Sequence, residues 1–485
     1  MPHPLVPTAE GPVRGLAGAT AHTFLGIPYA APPTGAARFA APTPHPPWRD
    51  VRDATRPGPT APQPRRDGFG ALDMTPYFGP GWIPGADHLT LNVWAPPHAR
   101  RSPVMVFVHG GGFLAGSTRA ALYDGTAFAR DGVVLVTVNY RLGATGFLDL
   151  PGAPPNRGLL DVVAALRWVR RNIAAFGGDP GNVTLFGQSA GATLIGSILA
   201  TPEAAGLFHR AIVQSGNGLG AFSPEQAARV TRAAATALGV EPTVTAFAAV
   251  PDDRLLALLP HLTGLDLRTA TRTDPLLGLS PYGLVLDRQP AESVAAGAGT
   301  DVALLIGTTT EEANLYLAPQ GDLAASTTAD VHALAARIHS DPAALVAEYR
   351  AKYPRAHAGR LRSALLGDAL FRTGNRRLAE AHASHRAAPT HTYTFAWRSP
   401  ALDGQLGAAH TTELPFVFDR LDLPALHGPH GLLGPTPPPA RLAARMHGAW
   451  VSFAQTGDPG WAPSETHRFA GDEGRGAGRC AVVGG

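Results

Sequence analysis

The sequence predicts an α/β fold built on a large, mostly parallel sheet with helices on its faces. Three observations point there. Short apolar runs alternate with longer stretches of helical periodicity. Most of those runs are continuous rather than alternating, as in strands buried on both faces. Two of them end in glycine-rich turns, "HGGGF" at 109–113 and "GQSAG" at 187–191, the punctuation expected where a strand gives way to a loop or helix.

Taken in order, "PVMVFVHGGGF" carries a strand over Val104–Val108, and "GVVLVTVNYRLG" a second over Val133–Asn139. "GLLDVVAALRWVRRNIAAFG" is an amphipathic helix. Leu160, Val163, Ala164, Leu166, Val169, Ile173 and Phe176 recur at helical spacing, and Arg167, Arg170, Arg171 and Asn172 take the other face. A strand over Val183–Phe186 follows, then a sharp turn at Ser189 and the apolar run "ATLIGSILA". Further strands are expected at Ala211–Gln214, Val302–Ile306 and His391–Ala396. Residues 222–298 and 320–388 are rich in Ala and Leu at helical spacing and read as helical insertions. With no repeat and no low-complexity linker, residues 1–485 read as a single domain.

Composition narrows the function classes. The chain has 485 residues, 45% hydrophobic and 16% charged, enough to bury a large core. Its 40 basic and 37 acidic residues are spread along the chain, which leaves no nucleic-acid footprint and no polybasic membrane patch. The one cysteine, Cys480, allows no internal disulfide and no thiolate metal site, and reads as a spectator. "MPHPLVPTAEGPVRG" lacks a basic, then apolar, leader pattern, and no run of 18 apolar residues occurs. A cytoplasmic protein is expected, monomeric or weakly dimeric, with a small molecule as its partner.

Gly187-Gln188-Ser189-Ala190-Gly191 is a short motif and weak evidence alone. Its context sharpens it, because a buried strand precedes it and an apolar helix follows. That is the setting of a nucleophile elbow, where the tight turn exposes a serine hydroxyl and side chains at the flanking glycines would clash. A serine hydroxyl needs a base to take its proton and donors to hold the oxyanion it creates. "HGGGF" supplies backbone N–H groups without side-chain obstruction. With the amide of Ala190, it makes a three-donor hole.

These residues resemble the type-B carboxylesterases, the cholinesterase-like branch of the α/β-hydrolase fold, and the bacterial para-nitrobenzyl-esterase-like members most. "FGGDPGNVTLFGQSAG" (176–191) is similar to the family's serine signature, and "DHLTLNVWAP" (87–96) to its second signature. "FLGIPYAAPPTGAARF" (24–39), "VNYRLGATGF" (138–147), "GLFHRAIVQSG" (206–216), "LLIGTTTEEANLYL" (304–317), "HTTELPFVF" (410–418) and "WVSFAQTGDPGW" (450–461) match in order and spacing. The resemblance implies a helix-flanked, mostly parallel sheet with a deep gorge above the serine. It implies Ser189 as nucleophile, His410 as base, and Gly111, Gly112 and Ala190 as oxyanion donors. The acid lies in the loop after the 302–306 strand, where the family has Asp-Glu-Gly and this chain has Glu311-Glu312-Ala313. Register points to Glu312, with Glu311 the alternative, and Ala313 bears on the loop's backbone because glycine is usual there. No metal or organic cofactor is implied.

The departures from the family are informative. Ala61 and His88 stand where secreted members pair two cysteines. Ala86 replaces an acidic residue, leaving Asp87 as a substitute partner for Arg38. Arg141 and Asp161 match a structural salt bridge, and Ser215 matches a supporting serine near the nucleophile. Gln188 stands where cholinesterases carry Glu, which weakens attraction for a cationic choline head. The loop 64–84 replaces the cholinesterase cation-binding region, and its Phe69, Tyr77, Phe78 and Trp82 either line the gorge or pack. Hydrolysis of uncharged carboxylic esters of short to medium acyl length is the expectation. The alternatives are a specialised hydrolase of a carbamate, lactone or amide, and a non-catalytic binding member, which would have lost a triad residue.

Overall fold

Nine strands form one sheet within residues 3–471, the part of the chain that the computed structural model describes; Cys480 lies outside it. In chain order the strands are His22–Pro28 (β1), Thr90–Ala95 (β2), Ser102–Val108 (β3), Val134–Val138 (β4), Gly178–Gln188 (β5), Arg210–Gln214 (β6), Ala303–Thr309 (β7), Thr390–Phe395 (β8) and Thr466–Phe469 (β9). Their spatial order is β1-β2-β4-β3-β5-β6-β7-β8-β9. From β4 to β9 all neighbours pair in parallel, and β2 is antiparallel to both β1 and β4. Parallel neighbours need long crossovers, which is why helical segments separate the runs.

The alternating side chains of the central strands feed two cores. Val104, Val106 and Val108 join Val134, Val136, Leu185 and Val213 on one face. Met105 and Phe107 join Leu135, Phe186 and Ile212 on the other. The helix Arg157–Asn172 (α1) covers the first face through Val162, Val163, Leu166 and Val169. Arg167, Arg170 and Arg171 face solvent, but Asn172 does not take the polar face as expected. It is buried, accepting from the Ala9 N–H at 2.7 Å and donating to Glu10 at 3.0 Å. The second face is covered by Ala440–Thr456 through Met446, Trp450 and Phe453.

Strands β1, β2 and β9 are not separable as apolar runs in the sequence. β9 is an edge strand with a single buried residue. β1 bulges between Phe24 and Ile27, and the buried Asn92 of β2 accepts the Gly26 N–H at 2.8 Å there. Polar residues thus sit inside these strands for structural reasons. The 320–388 segment is helical as expected, with helices at Thr328–Ile338, Pro342–Lys352, Ala358–Gly367 and Thr373–His385. The last two are joined by a wide π turn at Asp368–Arg372. The 222–298 segment is only partly helical: after Pro224–Leu238 it holds short helices and irregular chain rich in Pro, Gly and Thr, which terminate helices. No helix among the described residues is long and apolar enough to cross a membrane.

Candidate active site

Ser189 is the one residue between β5 and the helix Ala190–Ile198 (α2). Its backbone has φ 59° and ψ −123°, a region that costs a non-glycine residue ~1–3 kcal/mol. The turn is held from outside. The Ser189 N–H donates to the Gln214 carbonyl at 2.9 Å, and the Ser189 carbonyl accepts from the Thr193 N–H at 2.9 Å. A Cβ at Gly187 or Gly191 would lie 2.6 Å or 2.1 Å from the Val108 carbonyl oxygen, so neither position tolerates a side chain. Ser189 remains half-buried between buried neighbours and opens onto a cavity.

His410 opens onto the same cavity. Its Nδ1 lies 2.6 Å from Glu312 Oε2. Glu312 Oε1 accepts from the Ser215 hydroxyl at 2.6 Å and the Thr309 N–H at 2.8 Å. Both side chains are buried, and the Phe371 ring, carried by the π turn, stacks on the imidazole at 4.2 Å and 22°. The Nε2 atom faces Gln188, whose amide nitrogen is 3.1 Å away. The Tyr77 hydroxyl donates to Gln188 Oε1 at 2.7 Å, which turns the amide N–H toward the imidazole and leaves Nε2 as acceptor. The hydrogen-bond contact of Nε2 is therefore with Gln188 and not with the serine hydroxyl, a looseness common in ligand-free sites.

Glu311, the alternative acid, is drawn elsewhere. Its carboxylate is paired with Arg360 and Arg398 and accepts the Ala408 N–H at 3.0 Å. Ala313 needs no glycine geometry, having φ −78° and ψ −3°. A third glutamate, Glu413, is fully buried close by, with neither carboxyl oxygen hydrogen-bonded; the Gln214 amide faces it without reaching hydrogen-bond geometry. Burial first, and the Glu312 charge second, push the Glu413 carboxyl up to about 8.

Gly111, Gly112 and Ala190 line the cavity beside Ser189. Gly111 has φ 110°, and a Cβ there would meet the Ala115 carbonyl oxygen at 1.9 Å. Its own carbonyl accepts from Leu114 and Ala115, which turns the Gly112 N–H of the same trans peptide unit to the opposite side. Ala190 is the first residue of α2, so its N–H has no intrahelical acceptor. His109, at the base of this loop, is stacked on Tyr140 at 4.6 Å, and burial lowers its pKa to about 4, so it stays neutral. Among the described residues, no cluster of three or more His, Cys, Asp or Glu side chains is arranged to hold a metal ion.

Phe69, Tyr77 and Phe78 of the 64–84 loop line the cavity, whereas Trp82 does not. Trp82 turns to a separate depression beside Arg38 and His88. Asp87 is not the partner of Arg38 either: Arg38 pairs with Asp252, and Asp87 with Arg52. The chain reaches across to the 222–298 segment for that carboxylate, a long-range choice no local motif encodes. Arg141 and Asp161 form a buried bidentate pair at 2.7 and 2.9 Å. Arg66, Tyr316, Leu370 and Phe371 also line the cavity and were not singled out from the sequence. Phe371 lies in the alanine-rich 320–388 stretch, where nothing local distinguishes a cavity residue from a core one.

Residues 2–470 match the model of the carboxylesterase family. This chain belongs to the carboxylesterase family. It is 38% identical to the para-nitrobenzyl esterase of Bacillus subtilis (strain 168) over 95% of this chain and 91% of that one. It is 36% identical to the phenmedipham hydrolase of Pseudarthrobacter oxydans, covering 94% and 90%. A carboxylesterase structure from Geobacillus stearothermophilus superposes with a TM-score of 0.81 at 35% identity, covering 96% of each chain. The fold is accordingly the α/β-hydrolase fold, and the carboxylesterase is a carboxylic ester hydrolase.

Proposed function

We propose that this carboxylesterase works by serine acyl transfer on uncharged carboxylic esters of short to medium acyl chain. The observation that carries the reading is the shared cavity. A strained serine, an imidazole bound to a buried carboxylate, and the Gly111, Gly112 and Ala190 residues all line it. Ser189 Oγ attacks the ester carbonyl, and His410 Nε2 takes its proton. Glu312 keeps the Nδ1 proton in place and stabilises the charge that forms on the ring. The oxyanion rests on the Gly111, Gly112 and Ala190 amides, each such donor worth ~3 kcal/mol in the transition state. The alcohol leaves with the proton from His410, and water then cleaves the acyl-enzyme by the same steps. For the base to reach the serine, Gln188 must release Nε2.

The lining supports the substrate class. Phe69, Phe78, Leu315 and Phe371 make the wall largely apolar. Gln188 adds no negative charge beside the serine, so a cationic head group gains nothing there. The reading is tested by Ser189→Ala. The variant is expected to lose para-nitrophenyl acetate hydrolysis by at least about a thousandfold while keeping its melting temperature. Wild-type turnover in the variant overturns the proposal. A panel of esters, carbamates, lactones and amides, phenmedipham included, ranks substrate classes by kcat/KM.

A further inference from the structure

Arg66 is the cationic side chain on the cavity wall, and the acyl-transfer mechanism does not use it. Its guanidinium carbon lies 4.7 Å from the Phe69 ring centroid and 5.4 Å from that of Phe78. Both rings line the same cavity. From His410 the wall passes to Tyr316, with centroids 6.1 Å apart, and from Tyr316 to Phe69 at 5.8 Å. The guanidinium thus stands two rings along from the imidazole, on the wall of the cavity that Ser189 also lines.

Several other half-buried or buried arginines of this protein have acceptors. Arg38 has Asp252, Arg141 has Asp161, and Arg372 has Asp368. Arg157 donates to the carbonyls of Ala144, Thr145, Leu148 and Pro154. Arg66 makes no ion pair or hydrogen bond among the described residues. Burial by the surrounding rings holds its pKa below the ordinary arginine value, while the half-buried side chain still opens onto the cavity. Contact with two aromatic faces offsets part of the cost of that burial. It leaves the planar N–H fork unsatisfied, and that fork matches a carboxylate in bidentate fashion.

We propose that Arg66 is an anion subsite of the active-site cavity, and that the enzyme prefers monoanionic esters whose carboxylate, remote from the scissile carbonyl, docks on the guanidinium. The proposal rests on the acyl-transfer reading and shifts the preferred substrates within it from uncharged esters to esters with one negative charge. The carboxylate has two chemical sources. It sits on the acyl side in a monoalkyl ester of a dicarboxylic acid, or on the alcohol side in an acyl ester of a hydroxy acid.

The test compares matched pairs on the full chain at neutral pH: monoethyl glutarate against ethyl pentanoate for the acyl side, and 4-butanoyloxybutanoate against butyl butanoate for the alcohol side. In at least one pair the anionic ester is expected to have about tenfold higher kcat/KM, mainly through KM. The favoured pair identifies the source. Arg66→Met is expected to bring that ratio to one or below, and Arg66→Lys to retain part of it. In the wild type, 0.5 M NaCl is expected to raise KM for the anionic ester alone, a readout independent of whether a variant folds. Ratios of one or below in both wild-type pairs overturn the proposal, as does a ratio unchanged in Arg66→Met. If the neutral esters are not turned over and a fluorophosphonate fails to label Ser189, the acyl-transfer reading has failed, and the anion subsite falls with it.

Discussion

Glu311 and Glu312 are adjacent, chemically identical and both buried, yet they sit in opposite electrostatic surroundings. Glu311 is clamped by two guanidinium groups and a backbone amide. Glu312 accepts from a neutral hydroxyl and a neutral amide, and its one ionisable partner is His410. A carboxylate whose charge is already matched by arginines has little left with which to stabilise an imidazolium. One held only by neutral donors keeps its charge for the ring. What separates scaffold from chemistry here is the identity of the partners, because burial is the same.

The largest expected effect tests this contrast directly. Glu312→Gln is expected to lower kcat by about 10³–10⁴, because an amide facing Nδ1 no longer fixes the tautomer or balances the ring's charge. Glu311→Gln is expected to lower kcat less than tenfold, but to cost about 2–3 kcal/mol of stability, since it removes charged hydrogen bonds that hold the acid loop to Arg398 and Ala408. Steady-state kinetics and urea unfolding on the two variants check the pair. Equal losses of kcat would mean that the loop works as one unit and that the partner argument is wrong.

Glu413 extends the contrast to a carboxyl that accepts no hydrogen bond of good geometry among the described residues. Its folded pKa, about 8, stands above its ordinary value of 4.5. The folded state therefore binds the proton more tightly than the unfolded chain between those values. Stability is undiminished by this group below about 4.5, falls as pH rises, and levels off above about 8. Glu413→Gln removes the titration. The variant is expected to gain on the wild type by a few kcal/mol between pH 5 and pH 8.5, read as the difference in melting temperature between the two proteins at each pH. A pH-independent difference would show that Glu413 finds a partner the folded cavity does not display.

Much of this site was legible along the chain because its signals are local. The elbow needs a strand, two glycines and a helix within a few residues of Ser189, and the amides at 111–112 follow directly from a strand end. Choosing Glu312 over Glu311 required register, since two adjacent glutamates offer no local distinction. The central strands were visible as continuous apolar runs, but β1 and β9, lying at the edges of the sheet, carry no such run. Arg66, Tyr316 and Phe371 were not legible. Each depends on how the 64–84 loop and the 320–388 helices fold back over the sheet, which is long-range packing. The same cause sends Arg38 to Asp252 and leaves Trp82 outside the cavity.

The smallest expected effect concerns Gln188, which separates the scaffold from the acid–base pair by one hydrogen bond. In Gln188→Glu a carboxylate replaces the amide 3.1 Å from His410 Nε2 while still accepting from Tyr77. A charge so close favours the imidazolium, by up to about 4 kcal/mol of Coulomb energy at an effective dielectric of 20 and less after solvent screening. Two consequences follow in the same direction. The acid limb of the kcat/KM–pH profile moves to higher pH, because the base is neutral over a narrower range. The ratio of cationic to neutral ester turnover rises a fewfold, because a negative charge now lies buried directly behind Ser189 and His410. The two readouts separate the possible outcomes: a shifted pH profile with an unchanged ester ratio would mean that cationic heads do not reach Gln188, and that the aromatic wall from Tyr316 to Arg66 sets the preference instead.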